Sequence, residues 1–149
     1  MLPSHRRSRW LACAALLVAV TACASATPAE YLTTTVGPPR PFSPAVRVNG
    51  LIYLSGQVGT DSTGALVTGG IQAETRQVME NIGAVLTRTG SSFDRVLKCT
   101  VFMADMKEWG AMNEVYVTFF PADKRPARSA LGANGLALNA KVEIECIAH

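Results

Sequence analysis

Apolar and polar positions follow the two regular periods of protein structure in the first half of the chain. In residues 46–54, two β-branched apolar stretches flank Asn49-Gly50. This dipeptide is typical of a type I′ hairpin turn, because both central residues need positive φ. In residues 71–86, apolar side chains recur at spacings of three and four. That pattern predicts a helix with one buried face, and Gly90 is placed to cap its C-terminus.

The second half predicts another helix between strands. Residues 96–103 are typical of a strand, and Asp105 with Glu108 three positions later predicts a capping box that opens a helix ending before Pro121. Short strands follow at 128–131 and 141–148. The expected order is β-β-α-β-α-β-β, an α+β sheet with two helices on one face. The bare face needs cover, which predicts an oligomer.

The last strand separates two kinds of side chain. Alternation places one set of residues on an apolar face: Val142, Ile144, Cys146 and Ala148. The opposite face carries Glu143, Glu145 and Ile147, so Glu143 is expected to line a surface cleft. We interpret Glu145 as structural or solvated, and Lys124, Arg125 and Lys141 as solvated charges.

The N-terminus has the pattern of an export signal. Three arginines precede an apolar run that is too short for a comfortable membrane span, and the run ends in VTAC at 20–23. This ending resembles the lipobox of bacterial lipoproteins, with Cys23 as the lipidated residue. Ordinary cleavage near Ala24-Ser25-Ala26 is the alternative. We therefore expect a signal peptide at 1–22, a tether at 23–41 and a domain at 42–149, exported, periplasmic and lipid-anchored.

Charge and cysteine content restrict the partners. The chain has 14 basic and 11 acidic residues, and removing the signal leaves 11 of each. A neutral domain gives no electrostatic reason to expect nucleic acid. Cys99 and Cys146 lie in apolar strand-like runs, where two buried thiols are the favoured interpretation. A disulfide is the alternative, and it requires adjacent strands.

The positions of the two histidines limit the catalytic and metal sites that the sequence can form. His5 lies in the signal and His149 at the last position, so the sequence offers no Ser-His-Asp triad and no histidine metal site in the core. We expect no metal and no cofactor. Arg128, in PARS, is suited to a carboxylate through two parallel hydrogen bonds, and Glu143 to a water. On these two residues alone, a structural Arg128–Glu143 pair is the favoured interpretation, and the carboxylate and water sites are the alternative.

Eight short segments together resemble one family. In order they are PFSPAV (41–46), LIYLSGQ (51–57), ETRQ and ENI (74–77, 80–82), VFMADM (101–106), AMNEVY (111–116), PARS (126–129) and VEIE (142–145). The chain resembles the Rid family, also called YjgF/YER057c/UK114, of enamine/imine deaminases. The resemblance implies a chorismate-mutase-like fold and a homotrimer with inward-facing sheets and active sites between subunits.

The resemblance also implies an activity, hydrolysis of 2-enamino and 2-imino acids to 2-oxo acids and ammonia. Arg128 matches the carboxylate clamp, and Glu143 the residue that orients water. Asn113 and Gly56 match pocket positions. Phe42 stands where the family has a tyrosine, and Ala130 where well-studied members have a cysteine, so altered rate or preference is expected.

Three other functions remain open at the level of sequence. A non-catalytic module that binds small carboxylates would use the same pocket. A ribonuclease, an activity attributed to some family members, is disfavoured by the neutral charge and by export. A chaperone-like holdase would act through exposed apolar surface instead.

Overall fold

The fold was determined as a computed structural model, which describes residues 27–33 and 40–149. The strands in these ranges are β1 (Glu30–Tyr31), β2 (Ala45–Val48), β3 (Leu51–Leu54), β4 (Gln57–Val58), β5 (Val96–Met103), β6 (Ala127–Gly132) and β7 (Val142–Ala148). The α-helices are α1 (Gly70–Arg88) and α2 (Trp109–Tyr116).

The strands form one mixed sheet. Its order is β1-β2-β3-β7-β5-β6, and β4 pairs with β7 beside β3. β5 and β6 run parallel, with α2 in the connection between them, whereas the other pairs are antiparallel. Both helices cover the same face. The predicted α+β sheet with two helices on one face is confirmed.

Local sequence signals are realised at the hairpin and around α1. Asn49 and Gly50 have φ of 50° and 79°, as a type I′ turn between β2 and β3 requires. The apolar stripe of α1 is buried. Beyond its end, the amides of Gly90 and Ser91 donate to the carbonyls of Thr87 (3.0 Å) and Leu86 (2.8 Å), which is a Schellman cap.

The core lies between α1, α2 and the central strands. Val142, Ile144, Cys146 and Ala148 of β7 are buried on the helix side, as alternation predicts. Glu143, Glu145 and Ile147 point to the face that carries no helix; we call this the open face. Tyr53, on the same face, is 43% exposed.

The interpretation of Cys99 and Cys146 as free thiols is wrong. β5 and β7 place them directly opposite each other, with 4.1 Å between the Cα atoms, and they form a disulfide. Both residues are buried, as expected. The pairing depends on strand register, which the sequence does not contain.

The start of α2 also differs from its prediction. Asp105 accepts from the Lys107 amide at 2.8 Å, but the reciprocal half of the capping box is missing. The Glu108 carboxylate instead accepts from Lys141 Nζ at 3.0 Å, so Lys141 is not a simply solvated charge. Trp109, the first residue of α2, is 40% exposed.

The N-terminal predictions fall mostly outside the described residues. The signal peptide at 1–22 and Cys23 lie there. Within the predicted tether, however, Glu30 and Tyr31 pair with Arg47 and Val46 of β2. Part of the tether therefore belongs to the sheet. In the described ranges, no helix combines the length and apolarity needed to cross a membrane.

Candidate functional site

Arg128 is held by side chains of α2. It pairs in register with Cys99 on the neighbouring strand β5, and therefore faces the helix side of the sheet. Its Nη1 donates to Asn113 Oδ1 at 2.7 Å. The guanidinium carbon lies 4.8 Å from the ring centroid of Tyr116 and 5.5 Å from that of Trp109. These contacts hold the plane of the cation and leave other N–H donors for a ligand.

The two aromatic residues around Arg128 were not predicted as site residues from the sequence. Trp109, Asn113 and Tyr116 follow the spacing i, i+4, i+7, which places them on one face of a helix. The presence of an amide in this stripe is the signal that would have revealed them. Burial raises the pKa of Tyr116 to about 12, and the positive charge of Arg128 opposes that rise.

Ala130 completes this group on the same strand. It lies two residues after Arg128, pairs with Val101 and packs against the core. We call Asn113, Arg128 and Ala130 the clamp half of the site, after the role that the family resemblance implies for Arg128.

Glu143 lies on the open face, against the backbone of Gly56. A methyl group at Gly56 would come within 2.9 Å of Glu143 Cδ and still closer to Oε1. Real Cβ atoms do not approach so closely, so the glycine is what gives the carboxylate its place. β4 follows immediately, and Val58 pairs with Glu143.

Phe42 belongs to the segment that packs beside Gly56. Ser55 Oγ donates to the Ser43 carbonyl at 2.7 Å, and the Ser55 amide donates to the Pro44 carbonyl at 3.0 Å. These bonds tie the segment next to Phe42 to the segment next to Gly56. Phe42 is 49% exposed, with Arg40 Cζ 6.0 Å from its ring centroid. We call Phe42, Gly56 and Glu143 the water half of the site, after the role that the family resemblance implies for Glu143.

The two halves do not meet within one chain. Arg128 faces the helices, whereas Glu143 faces the open side. Their partners on β5 are Cys99 and Phe102, three residues apart, with β5 between the two strands. This places the two Cα atoms roughly 14 Å apart. The interpretation of Arg128 and Glu143 as a structural ion pair is wrong, because the ion pairs of the described residues are Arg47–Glu30 and Lys141–Glu108.

The open face carries a shallow hollow of about 210 Å³. It is lined by Tyr53, Leu54, Lys98, Thr100, Glu145, Cys146 and Ile147. Glu145 is exposed at its rim, in keeping with a solvated residue. Across residues 27–33 and 40–149, His, Cys, Asp and Glu side chains form no group of three that would hold a metal ion.

Comparison with known proteins places the chain in a family. Residues 33–149 match the family described as Endoribonuclease L-PSP. The chain is 46% identical over 109 residues to the mouse protein named 2-iminobutanoate/2-iminopropanoate deaminase. These aligned residues cover 72% of this chain and 80% of that protein.

Solved structures agree with the sequence comparison. Yeast Mmf1 superposes with a TM-score of 0.75 at 35% identity, over 81% of this chain and 98% of that one. A Yersinia pestis protein of unknown function, described as YyfA of the conserved Rid protein family, has a TM-score of 0.76 at 36% identity over 81% and 98%. The chain therefore belongs to the Endoribonuclease L-PSP family, which is the Rid family that its sequence motifs predict.

Proposed function

We propose that this protein is a hydrolase that deaminates 2-imino acids and their enamine tautomers to 2-oxo acids and ammonia. The observation that carries the proposal is the position of the Arg128 guanidinium, which is fixed by contacts with two aromatic rings and by a hydrogen bond to Asn113. Such a cation is prepared to bind a carboxylate through two parallel hydrogen bonds. Curated relatives from mouse, rat, human and goat, at 40–46% identity, are named 2-iminobutanoate/2-iminopropanoate deaminase.

Glu143 supplies the second requirement, a group that holds water. Its carboxylate accepts a hydrogen bond from the water and takes one proton as the water oxygen adds to the imine carbon. Glu143 returns this proton to the imine nitrogen, which gives a carbinolamine. The carbinolamine hydroxyl then gives up the second water proton to the nitrogen, the carbon–nitrogen bond breaks, and ammonia leaves as the 2-oxo group forms. Since an imine carbon is already electrophilic, placing the water supplies much of the catalysis.

A second copy of the chain completes the site in this proposal. The clamp half and the water half lie on opposite faces, so each requires the other half from a neighbour. The open face offers a surface for association, since Tyr53, which lines the hollow, and Leu131 are each 43% exposed on that face. A homotrimer with sites between subunits satisfies both conditions.

Phe42 favours one alternative, a module that binds small carboxylates without turning them over. Phe42 provides a wall but no hydroxyl, in place of the expected tyrosine. If the protein is an enzyme, the missing hydroxyl changes the rate of turnover or the substrate preference. If it is a binding module, the missing hydroxyl removes turnover and leaves the Arg128 clamp intact.

We also propose export to the periplasm with a lipid on Cys23. The VTAC sequence at 20–23 carries this proposal. The Cys99–Cys146 disulfide supports it, because structural disulfides form and persist in oxidising compartments. Labelling of cells with a lipid precursor, comparing the wild type with Cys23→Ser, tests the anchor. An unlabelled wild-type protein would favour simple secretion.

The test of the enzyme proposal is turnover of freshly generated 2-iminopropanoate and 2-iminobutanoate. Residues 24–149 are compared with Arg128→Ala and with Arg125→Ala, a matched control at an exposed arginine three positions away. We expect turnover in the wild type and in the control, and its loss in Arg128→Ala.

Two other outcomes decide between the alternatives. Stabilisation of the wild type by a 2-oxo acid without turnover of any imine would establish the binding module. Salt-sensitive cleavage of RNA by the wild type and not by Arg128→Ala would favour a ribonuclease instead.

A further inference from the structure

Lys141, just before the strand that carries Glu143, is anchored at three points. Its amide donates to Glu74 Oε2 at 2.7 Å, and its carbonyl accepts from the Ala104 amide at 2.9 Å. Its Nζ bonds both carboxylate oxygens of Glu108 at 3.0 Å. Two of these bonds use charged groups, which make the stronger hydrogen bonds.

The turn before Lys141 needs such anchors. Leu138 and Asn139 both have φ of 59°, in the left-handed region that L-residues rarely adopt. Leu138 is 61% exposed, so its own side chain contributes little packing to hold this conformation. Strained backbone persists only where surrounding contacts fix it. Here the contacts on the C-terminal side are those of Lys141.

Glu74 links this turn to the other segment that defines the water half. Glu74 lies on α1, is only 6% exposed, and is not used in the proposed chemistry. Its backbone packs so closely on Gly59 that a methyl group there would lie 2.9 Å from the Glu74 carbonyl. Gly59 follows Gly56 by three residues, and Lys141 precedes Glu143 by two. One buried residue thus contacts both segments whose approach places Glu143 against Gly56.

We propose that Glu74 and Lys141 are positioning residues for Glu143, and that together they fix the distance between β7 and the Gly56 segment. The inference depends on the proposed function, since it concerns how the water-holding carboxylate is placed. Neither residue touches the substrate. Their loss moves Glu143 and leaves the Arg128 clamp unchanged.

Variants of Glu74 and Lys141 separate a positioning role from general damage to the fold. Glu74→Leu removes the acceptor, Glu74→Gln keeps it, and Lys141→Met removes the bond to Glu108. Glu80→Leu on the exposed side of α1 and Lys124→Met in an exposed loop are the matched controls. We expect kcat to fall about ten-fold in Glu74→Leu and Lys141→Met, with KM within two-fold, because small misplacements of a reacting group are costly.

Recovery in Glu74→Gln is also expected, to within about three-fold of the wild type, because a neutral amide oxygen still accepts from the Lys141 amide. If Glu74→Leu does not fold, Lys141→Met decides. A kcat within two-fold of the wild type in folded Lys141→Met would overturn the proposal. A loss of kcat/KM that is shared equally between a lower kcat and a higher KM would also overturn it, because this would indicate general damage to the fold.

Amide hydrogen exchange of residues 141–144 gives a second reading that does not depend on turnover. We expect faster exchange in Lys141→Met than in Lys124→Met. If the wild type does not hydrolyse either imine, the proposed function fails and this exchange measurement alone decides the positioning. Unchanged exchange would then overturn it.

Discussion

The clamp half and the water half of the site are held in opposite ways. Arg128 lies on β6, at the end of the strand order, and is gripped by the side chains of Asn113, Trp109 and Tyr116. Glu143 lies on β7, an inner strand, and backbone contacts place it. Its carboxylate packs against Gly56, and Lys141, two residues earlier in the chain, is anchored by hydrogen bonds. Side-chain changes should therefore alter carboxylate binding, whereas backbone changes should alter the water. In the proposed reaction, binding of the carboxylate and addition of the water should therefore be open to separate perturbation.

The largest expected effect comes from removing one member of each half. Arg128→Ala and Glu143→Gln should each lower kcat/KM by about a thousand-fold, the clamp through lost charge-assisted bonds and the carboxylate through lost proton transfer. When the two variants are unfolded together and reassembled, about a quarter of the intersubunit sites should carry both native residues. Turnover should therefore return to about a quarter of the wild-type value.

The control for this complementation is each variant reassembled alone, which should stay inactive. Mixed oligomers are verified by mass spectrometry of differently tagged chains. Verified mixed oligomers without activity would contradict a site divided between copies.

The disulfide lies between the two halves and should matter for stability. It joins β5, the strand beside Arg128, to β7, and closes a loop of 47 residues. The chain-entropy estimate for such a loop is about 4 kcal/mol in the free energy of unfolding. Urea unfolding with and without reductant should show this difference, while turnover under native conditions changes little. The same midpoint in both would indicate that the thiols are not paired.

Gly56→Ala should impair the water half alone. The added methyl group displaces the Glu143 carboxylate, so kcat should fall by about ten-fold or more with KM little changed. Gly110→Ala in α2 is the matched control, because nothing lies within 4 Å of a methyl group there. A rise in KM with kcat preserved would mean that Gly56 serves binding instead.

Tyr116 should give the smallest effect, and it separates packing from hydrogen bonding in the clamp half. Its hydroxyl is buried without a partner among the described residues, so Tyr116→Phe should keep stability and turnover near neutral pH. The folded-state pKa is raised from 10.0 to about 12. Between these values the unfolded chain releases a proton that the folded chain keeps, so stability is complete below pH 10 and falls as pH rises toward 12.

Alkaline unfolding of the wild type and of Tyr116→Phe measures this difference. The variant should lose less stability than the wild type over this range. Parallel curves would show that the ring is not desolvated as described.

Elements with a local cause were predictable from sequence. Asn49-Gly50 specifies its own turn, the stripe of α1 specifies its buried face, and alternation in β7 separates Glu143 from the core. Each depends on neighbours within a few positions. Side-chain chemistry identified Arg128 as a candidate residue, and alternation indicated that Glu143 faces away from the core.

Features that depend on register were not predictable. The parallel pairing of β6 with β5 turns Arg128 toward α2, and antiparallel pairing brings Cys99 to Cys146. Glu108 was assigned to a capping box, yet it bonds a lysine 33 positions away. Long-range partners compete with local ones, and only the folded sheet decides which of them prevail.

If the proposed lipid on Cys23 is present, the short strand β1 limits how far the domain can stand from the membrane. Because Glu30 is already paired with β2, only six residues lie between it and Cys23. A lipid on Cys23 would then hold the edge of the sheet within about 25 Å of the bilayer, the length of that segment when fully extended. Three such anchors on one trimer would confine its active sites to a thin layer along the membrane, where locally released imines would be intercepted first.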